Sequence, residues 1–232
     1  MSCNNSECPF FELHTEVGSV SAANLNCLVT DAVKQISFQT GQVLFSRGQT
    51  STSLYSLSSG LVKITSNGSE GHEQIVGLGV PGKLVFGLQS LEQDRHEYTA
   101  VAATDGQACK IRHRALIRAF KDEPKIGLRL IAALNAQLAQ SRAMMEVMGH
   151  KTAAGKIAAF ILLLAPKAPV TDDRFALPFS RNDIAEFLGL SEETVCRQMA
   201  SMKRDGVIYA PRGKMRVQNW EQLRAIADGR SA

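Results

Sequence analysis

Between residues 31 and 122 the apolar positions come in short runs set off by turn residues. The runs are Ile36–Phe38, Val43–Phe45, Leu54–Leu57, Leu61–Thr65, Ile75–Val76, Lys83–Val85, Tyr98–Ala102 and Ala108–Ile111. Glycines 41, 48, 60, 68, 71, 79, 82 and 87 punctuate them, and Asn67-Gly68 is a strong hairpin signal. Many short strands between regular turns predict a small barrel or roll. Upstream, residues 1–30 are Ser/Asn-rich, and the apolar stretch Leu28–Ile36 reads as a helix. Ala115–Phe120 predicts a short helix leaving the roll.

The period then changes. Ile126–Met148 predicts one long helix within a segment 123–149. Ile131, Leu138 and Met145 are spaced by seven, and so are Leu134, Ser141 and Met148. The two sets interleave as a and d positions of a coiled-coil seam, with Ser141 its one polar member. This predicts dimerisation through the helix. His150–Thr152 breaks the pattern, and Lys156–Leu164 begins another helix that ends before Pro166 and Pro169.

Residues 150–232 carry the most specific pattern. Ser180–Arg204 predicts two short helices joined by a tight turn. Ser180 can cap the first helix, with Asp183 three residues on, and Ser191 can cap the second. Gly189 supplies the turn. Ala185 allows close helix approach, and Val195 plugs the angle between the helices, as in a helix-turn-helix. Val195, Met199 and Met202 form the buried stripe of the second helix. Its other face carries Glu193, Cys196, Arg197 and Arg204. A guanidinium and a carboxylate four residues apart suit base edges in a major groove: Arg to guanine, Glu to cytosine. Beyond it, Val207–Tyr209 and Met215–Val217 flank Pro211-Arg212-Gly213, a hairpin that reads as a basic wing bearing Arg212. Phe175–Pro178 predicts a short extended piece before the unit, and Trp220–Asp228 a closing helix.

Composition narrows the picture only slightly. The net charge of +4 and pI near 8.9 fit nucleic acid without demanding it. The placement says more, because Lys203, Arg204, Arg212, Lys214 and Arg216 cluster around the helix-turn-helix. The apolar run Ile157–Ala165 is too short to span a bilayer, and the N-terminus lacks signal-peptide features. A cytoplasmic protein is expected. Five cysteines, an odd number, disfavour a disulfide framework. His14, His72, His96, His113 and His150 lack metal-ligand spacing and read as isolated surface histidines. Gly77–Gly82 fits GxGxxG formally, but Pro81 sits inside it and no helix follows. No nucleophile, base or phosphate loop suggests an enzyme.

The order of β-roll, long dimer helix and winged helix-turn-helix resembles the CRP/FNR family of bacterial transcription regulators. The motifs that carry the resemblance are GQVLF at 41–45, LYSLSSGLVK at 54–63, PGKLV at 81–85 and LGLSEETVCR at 188–197. It implies an α+β chain: a cyclic-nucleotide-binding-like jelly roll, a dimerisation helix and a winged DNA-binding domain. Family members that bind cyclic AMP carry a Glu and an Arg-Ser pair after the Pro-Gly turn. Leu88 stands near that Glu, and Glu97-Tyr98 near that pair, so no guanidinium is in place to hold the phosphate. Cyclic AMP binding is not expected, and the resemblance points to the FNR/FixK branch, which responds to low oxygen or redox state.

The resemblance implies homodimers on inverted repeats related to TTGA, with Glu193 and Arg197 reading the central G·C pair. Cys196 replaces the Ser of the FNR pattern. Ser180, Arg181 and Thr194 are candidate phosphate contacts. The roll would present a surface to RNA polymerase. Cys109 matches the central-domain cluster ligand of FNR proteins, and Cys3, Cys8 and Cys27 could complete a [4Fe–4S] set. The spacing departs from the compact FNR group of three, and both Cys27 and Cys109 also read as packed core thiols. In FNR-type switches an acidic residue on the dimer helix keeps apo monomers apart. Ser141 stands there, which favours a cluster-free FixK-type factor. Two further alternatives are oxidation of Cys196 against DNA, and a roll that binds an uncharged or haem-like effector.

Overall fold

The computed structural model describes residues 33–67, 73–81, 84–85, 95–122, 124–165, 170–171, 174–176, 179–210 and 214–230. The expected helix over Leu28–Ile36, and the Gly68 and Gly82 turns, lie wholly or partly outside these. The chain divides into two compact units, the first of residues 1–73 and 77–138 and the second of residues 74–76 and 139–232.

The first unit is the expected roll. Its strands are β1 (Val33–Phe38), β2 (Val43–Phe45), β3 (Ser53–Ser59), β4 (Val62–Asn67), β5 (Glu73–Gly79), β6 (Leu84–Val85), β7 (Thr99–Ala102) and β8 (Gly106–Arg112). They form two four-stranded sheets, ordered β1-β8-β3-β6 and β2-β7-β4-β5. Phe38, Phe45, Tyr55, Leu57, Val62, Ala100, Ala102 and Ala108 pack together as the roll's core. Leu54 and Ile111, which are cross-strand partners, instead join Leu116 and Leu130 in a second cluster. Strand β3 is therefore covered on both faces, which explains why six of its consecutive residues are buried. A strand buried on both sides loses the simple alternation of apolar and polar positions.

One expectation is corrected here. Val33–Ile36 belongs to β1 and is not helical: the strand pairs antiparallel with β8 from Val33↔Ile111 to Phe38↔Gly106. That ladder satisfies the backbone of the whole segment, and tertiary pairing overrides the local apolar density.

Gly106 is required by close approach. A Cβ there would collide with the Ser59 carbonyl oxygen and lie 2.5 Å from Phe38 Cζ. Next to it, the Asp105 carboxylate accepts from both the Thr40 amide (2.7 Å) and the Thr40 hydroxyl (2.9 Å), tying two turns together. The bonds from Thr40 hold the Asp105 pKa below the ordinary carboxylate range. Gly106→Ala is expected to destabilise the roll by about 1–3 kcal/mol through overpacking. Urea unfolding checks this, and an unchanged midpoint would show that both the Ser59 backbone and the Phe38 ring give way without cost.

Helix α1 (His113–Asp122) follows β8, and α2 (Lys125–Gly149) runs for 25 residues. The second unit contains α3 (Ala153–Leu164), α4 (Arg181–Leu188), α5 (Glu192–Arg204) and α6 (Trp220–Ala227). It also holds a four-stranded sheet, ordered β11-β12-β10-β9, from β9 (Val170–Thr171), β10 (Arg174–Ala176), β11 (Ile208–Tyr209) and β12 (Lys214–Val217). Thr152 caps α3, its hydroxyl accepting from the Gly155 amide. Phe160 on α3 packs against Phe187 at 5.2 Å and edge-on against Phe179 at 5.8 Å. No helix among the described residues is long and apolar enough to cross a membrane.

Candidate nucleic-acid interface

Local chemistry shapes the α4–α5 unit. The Ser180 hydroxyl accepts from the Asp183 amide (2.9 Å), and the Ser180 amide donates back to the Asp183 carboxylate (2.8 Å), a complete capping box. At the other end Gly189 adopts φ +64°, a left-handed conformation that favours glycine. The Gly189 and Leu190 amides both donate to the Ala185 carbonyl. Two residues later the Ser191 hydroxyl accepts from the Thr194 amide and opens α5. Ala185, Val195, Met199 and Met202 are all buried, as the helix-turn-helix pattern requires.

That burial leaves the opposite face of α5 to solvent. Glu193, Cys196, Arg197, Ala200, Lys203 and Arg204 are exposed there. Arg197 Nη1 lies 3.8 Å from Glu193 Oε1, with side-chain exposures of 64% and 87%. An ion pair so exposed contributes little to stability, so both groups remain free to meet base edges. Arg197, Ala200, Lys203 and Arg204 line one shallow depression. Glu192 and Glu193 at the N-terminus and Lys203 and Arg204 in the last turn complement the helix dipole.

The other expected contacts fall around this face. Ser180 is exposed but engaged in its cap, and Thr194 is half-buried with its hydroxyl 2.8 Å from that of Ser191. Arg181 Nη1 lies 2.6 Å from the buried Met199 sulfur, a link between α4 and α5 that no sequence pattern announces. In the wing hairpin Tyr209 pairs with Arg216, which is exposed. Arg212 lies outside the described residues.

On α2 the seam residues Ile131, Leu134, Leu138, Met145 and Met148 are all exposed, and Ser141 shares that exposure. Met144 and Val147 are buried instead. A row of large apolar side chains at heptad spacing, exposed in a single chain, is a face that needs covering.

Of the cysteines, Cys3, Cys8 and Cys27 lie outside the described residues. Cys109 is fully buried on β8, paired across strands with Gln35 and Ser56, its sulfur 4.0 Å from the Ser58 hydroxyl. The buried Ser56 hydroxyl has no hydrogen-bond partner among the described residues. Those residues contain no group of three or more His, Cys, Asp or Glu able to hold a metal. They therefore supply one thiol of a four-thiolate set and do not by themselves form a cluster site.

Two histidines depart from expectation. His96 and His113 are buried rather than on the surface. The His96 ring stacks on Phe45 at 3.9 Å, and its backbone bonds to Gly48 and Gln49 hold it there. Burial, then the nearby His113 and Lys110, keep its pKa below the ordinary histidine value.

Residues 35–123 match the family model of the cyclic nucleotide-binding domain, and residues 155–226 that of the Crp-like helix-turn-helix domain. The nitrogen fixation regulation protein FixK of Bradyrhizobium diazoefficiens is 30% identical, over 84% of this chain and 82% of its own length. The transcriptional activator protein FnrL of Cereibacter sphaeroides is 33% identical, over 78% of this chain and 74% of its own. The chain belongs to the CRP/FNR family. Within the CRP/FNR family these relatives place it on the FNR/FixK branch. The structure of FixK2 from Bradyrhizobium japonicum superposes with a TM-score of 0.73 at 25% identity, covering 84% of this chain and 96% of that one. As a CRP/FNR protein the chain is a DNA-binding transcription regulator, not an enzyme.

Proposed function

We propose that this regulator is a homodimeric transcription activator that reads TTGA-type inverted repeats in answer to low oxygen or redox state. The observation that carries the reading is the solvent-facing pair Glu193–Arg197 on a doubly capped, core-anchored helix. Arg197 donates two hydrogen bonds to guanine, and Glu193 accepts from the amino group of the paired cytosine. Ser180, Arg181, Thr194 and the wing residue Arg212 are assigned to the phosphates, which set register without reading sequence. The α2 stripe from Ile131 to Met148 joins two copies, so two α5 helices face the two half-sites. The roll offers its surface to RNA polymerase, and the protein works in the cytoplasm.

Ser141 favours a cluster-free dimer, because two facing serines add no like-charge repulsion to the seam. The alternative is a [4Fe–4S] cluster on Cys3, Cys8, Cys27 and Cys109, which would supply an oxygen-labile group to the first unit. Purification without oxygen separates the two. Colourless, iron-free protein that binds a TTGA-type repeat supports the FixK-type form. A brown protein with about four irons per subunit that bleaches in air supports the cluster. Failure to bind such a repeat in either state overturns the reading.

The exposure of Cys196 on the DNA-reading face favours a second layer of control. Peroxide would convert its thiol to a sulfenic acid, releasing water, and further oxidation would set negative charge against phosphates. Cys196→Ser is expected to bind the operator normally and to lose peroxide sensitivity in a gel-shift assay. Equal sensitivity in variant and wild type would sink this layer.

A further inference from the structure

One polar link in the second unit serves a role that neither the reading face nor the seam accounts for. Lys156 sits in the first turn of α3, where its own amide donates to the Thr152 carbonyl at 3.0 Å. Its half-buried side chain crosses to α4, and Nζ donates to the Leu188 carbonyl at 3.3 Å. Leu188 is the last residue of α4. Its carbonyl is one of those a helix end leaves without an intrahelical donor. The turn amides of Gly189 and Leu190 donate further back, to the Ala185 carbonyl. A cation at this end also meets the negative pole of the helix. The turn that follows contains only Gly189, Leu190 and Ser191 before α5 begins at Glu192. Whatever fixes the Leu188 carbonyl therefore fixes the start of the helix that reads bases.

We propose that Lys156 is a positioning residue for sequence reading: its ammonium, anchored in α3, holds the Leu188 carbonyl and so sets where Glu193 and Arg197 stand against the base edges. The inference rests on the assignment of α5 as the reading helix. It commits Lys156 to a role distinct from a phosphate contact, because its ammonium is engaged with protein.

The test compares full-length wild type, Lys156→Met and Lys156→Arg by fluorescence anisotropy on a TTGA-type repeat and a scrambled duplex, across a salt series. Lys156→Met is expected to bind the repeat about tenfold more weakly per half-site, about a hundredfold for the dimer, from the loss of one charge-assisted hydrogen bond in each subunit. Its affinity for the scrambled duplex and its salt slope should not change. Lys156→Arg, which keeps a cationic donor, should recover most of the discrimination. A salt slope that falls by about one per subunit, with both duplexes weakened alike, would make Lys156 a phosphate contact and overturn the proposal. So would an unchanged ratio between the duplexes. Lys156→Gln, measured well below its melting midpoint, provides the same comparison should the methionine variant fold poorly. Wild-type protein that fails to tell the duplexes apart overturns the reading of α5, and this inference with it.

Discussion

Replacing Arg197 with alanine is expected to remove most of the discrimination at the G·C pair of each half-site. One good bidentate contact to guanine is worth about 1–3 kcal/mol against the wrong base, so a dimer should lose about 2–6 kcal/mol on its operator. Among the described residues this side chain pairs with the exposed Glu193, and such a pair contributes little to stability. Arg197 is itself exposed, and its partner Glu193 is more so. The melting midpoint should stay within about two degrees, since surface changes of this kind fall within about ±0.5 kcal/mol. Removal also leaves the Glu193 carboxylate facing DNA without its cation, which adds to the loss. Anisotropy titrations on the repeat and on variants of its G·C pair check the result. Equal weakening on a scrambled duplex would move Arg197 from base reading to phosphate contact.

Leu138→Asp is expected to produce monomers. Leu138 lies at the middle of the α2 stripe and is already half-exposed in the single chain. Its replacement therefore costs the subunit little, while a dimer would bury two carboxylates against each other. A buried unpaired charge costs far more than the leucine contact it replaces. Sedimentation at micromolar protein should show a single subunit. Operator affinity should fall by about 10²–10⁴, because the second half-site is no longer presented at high effective concentration. Persistence of the dimer would place the interface elsewhere on the chain.

Where structure is made by neighbours in sequence, the residues announce it. The helix-turn-helix rests on caps three residues apart and on one left-handed glycine, so Ser180–Arg204 could be read almost residue by residue. The strands from Ile36 to Ile111 were visible through their glycine punctuation. Their true ends were not: β1 begins at Val33 because β8 offers it partners 78 to 68 residues away, from Val33↔Ile111 to Phe38↔Gly106. Long-range packing hid the rest. His96 is buried because Thr50 bridges to Arg95 and brings the next residue's ring onto Phe45. Lys156 reaches Leu188 across 32 residues, and Arg181 reaches Met199 across 18. Neither link follows a helical or strand period, so no window along the chain could have found them. The seam was legible as heptads, and the structure adds that its apolar members are exposed.

The most direct test is the stoichiometry of the wild-type complex on a labelled duplex with two inverted TTGA-type half-sites about one helical turn apart. Anisotropy at protein concentrations far above Kd should break at two chains per duplex. Replacing the central G·C pair of one half-site should then weaken binding by about 1–3 kcal/mol. A break at one chain per duplex, or an affinity unmoved when both G·C pairs are replaced, would contradict a dimer that reads DNA through Glu193 and Arg197.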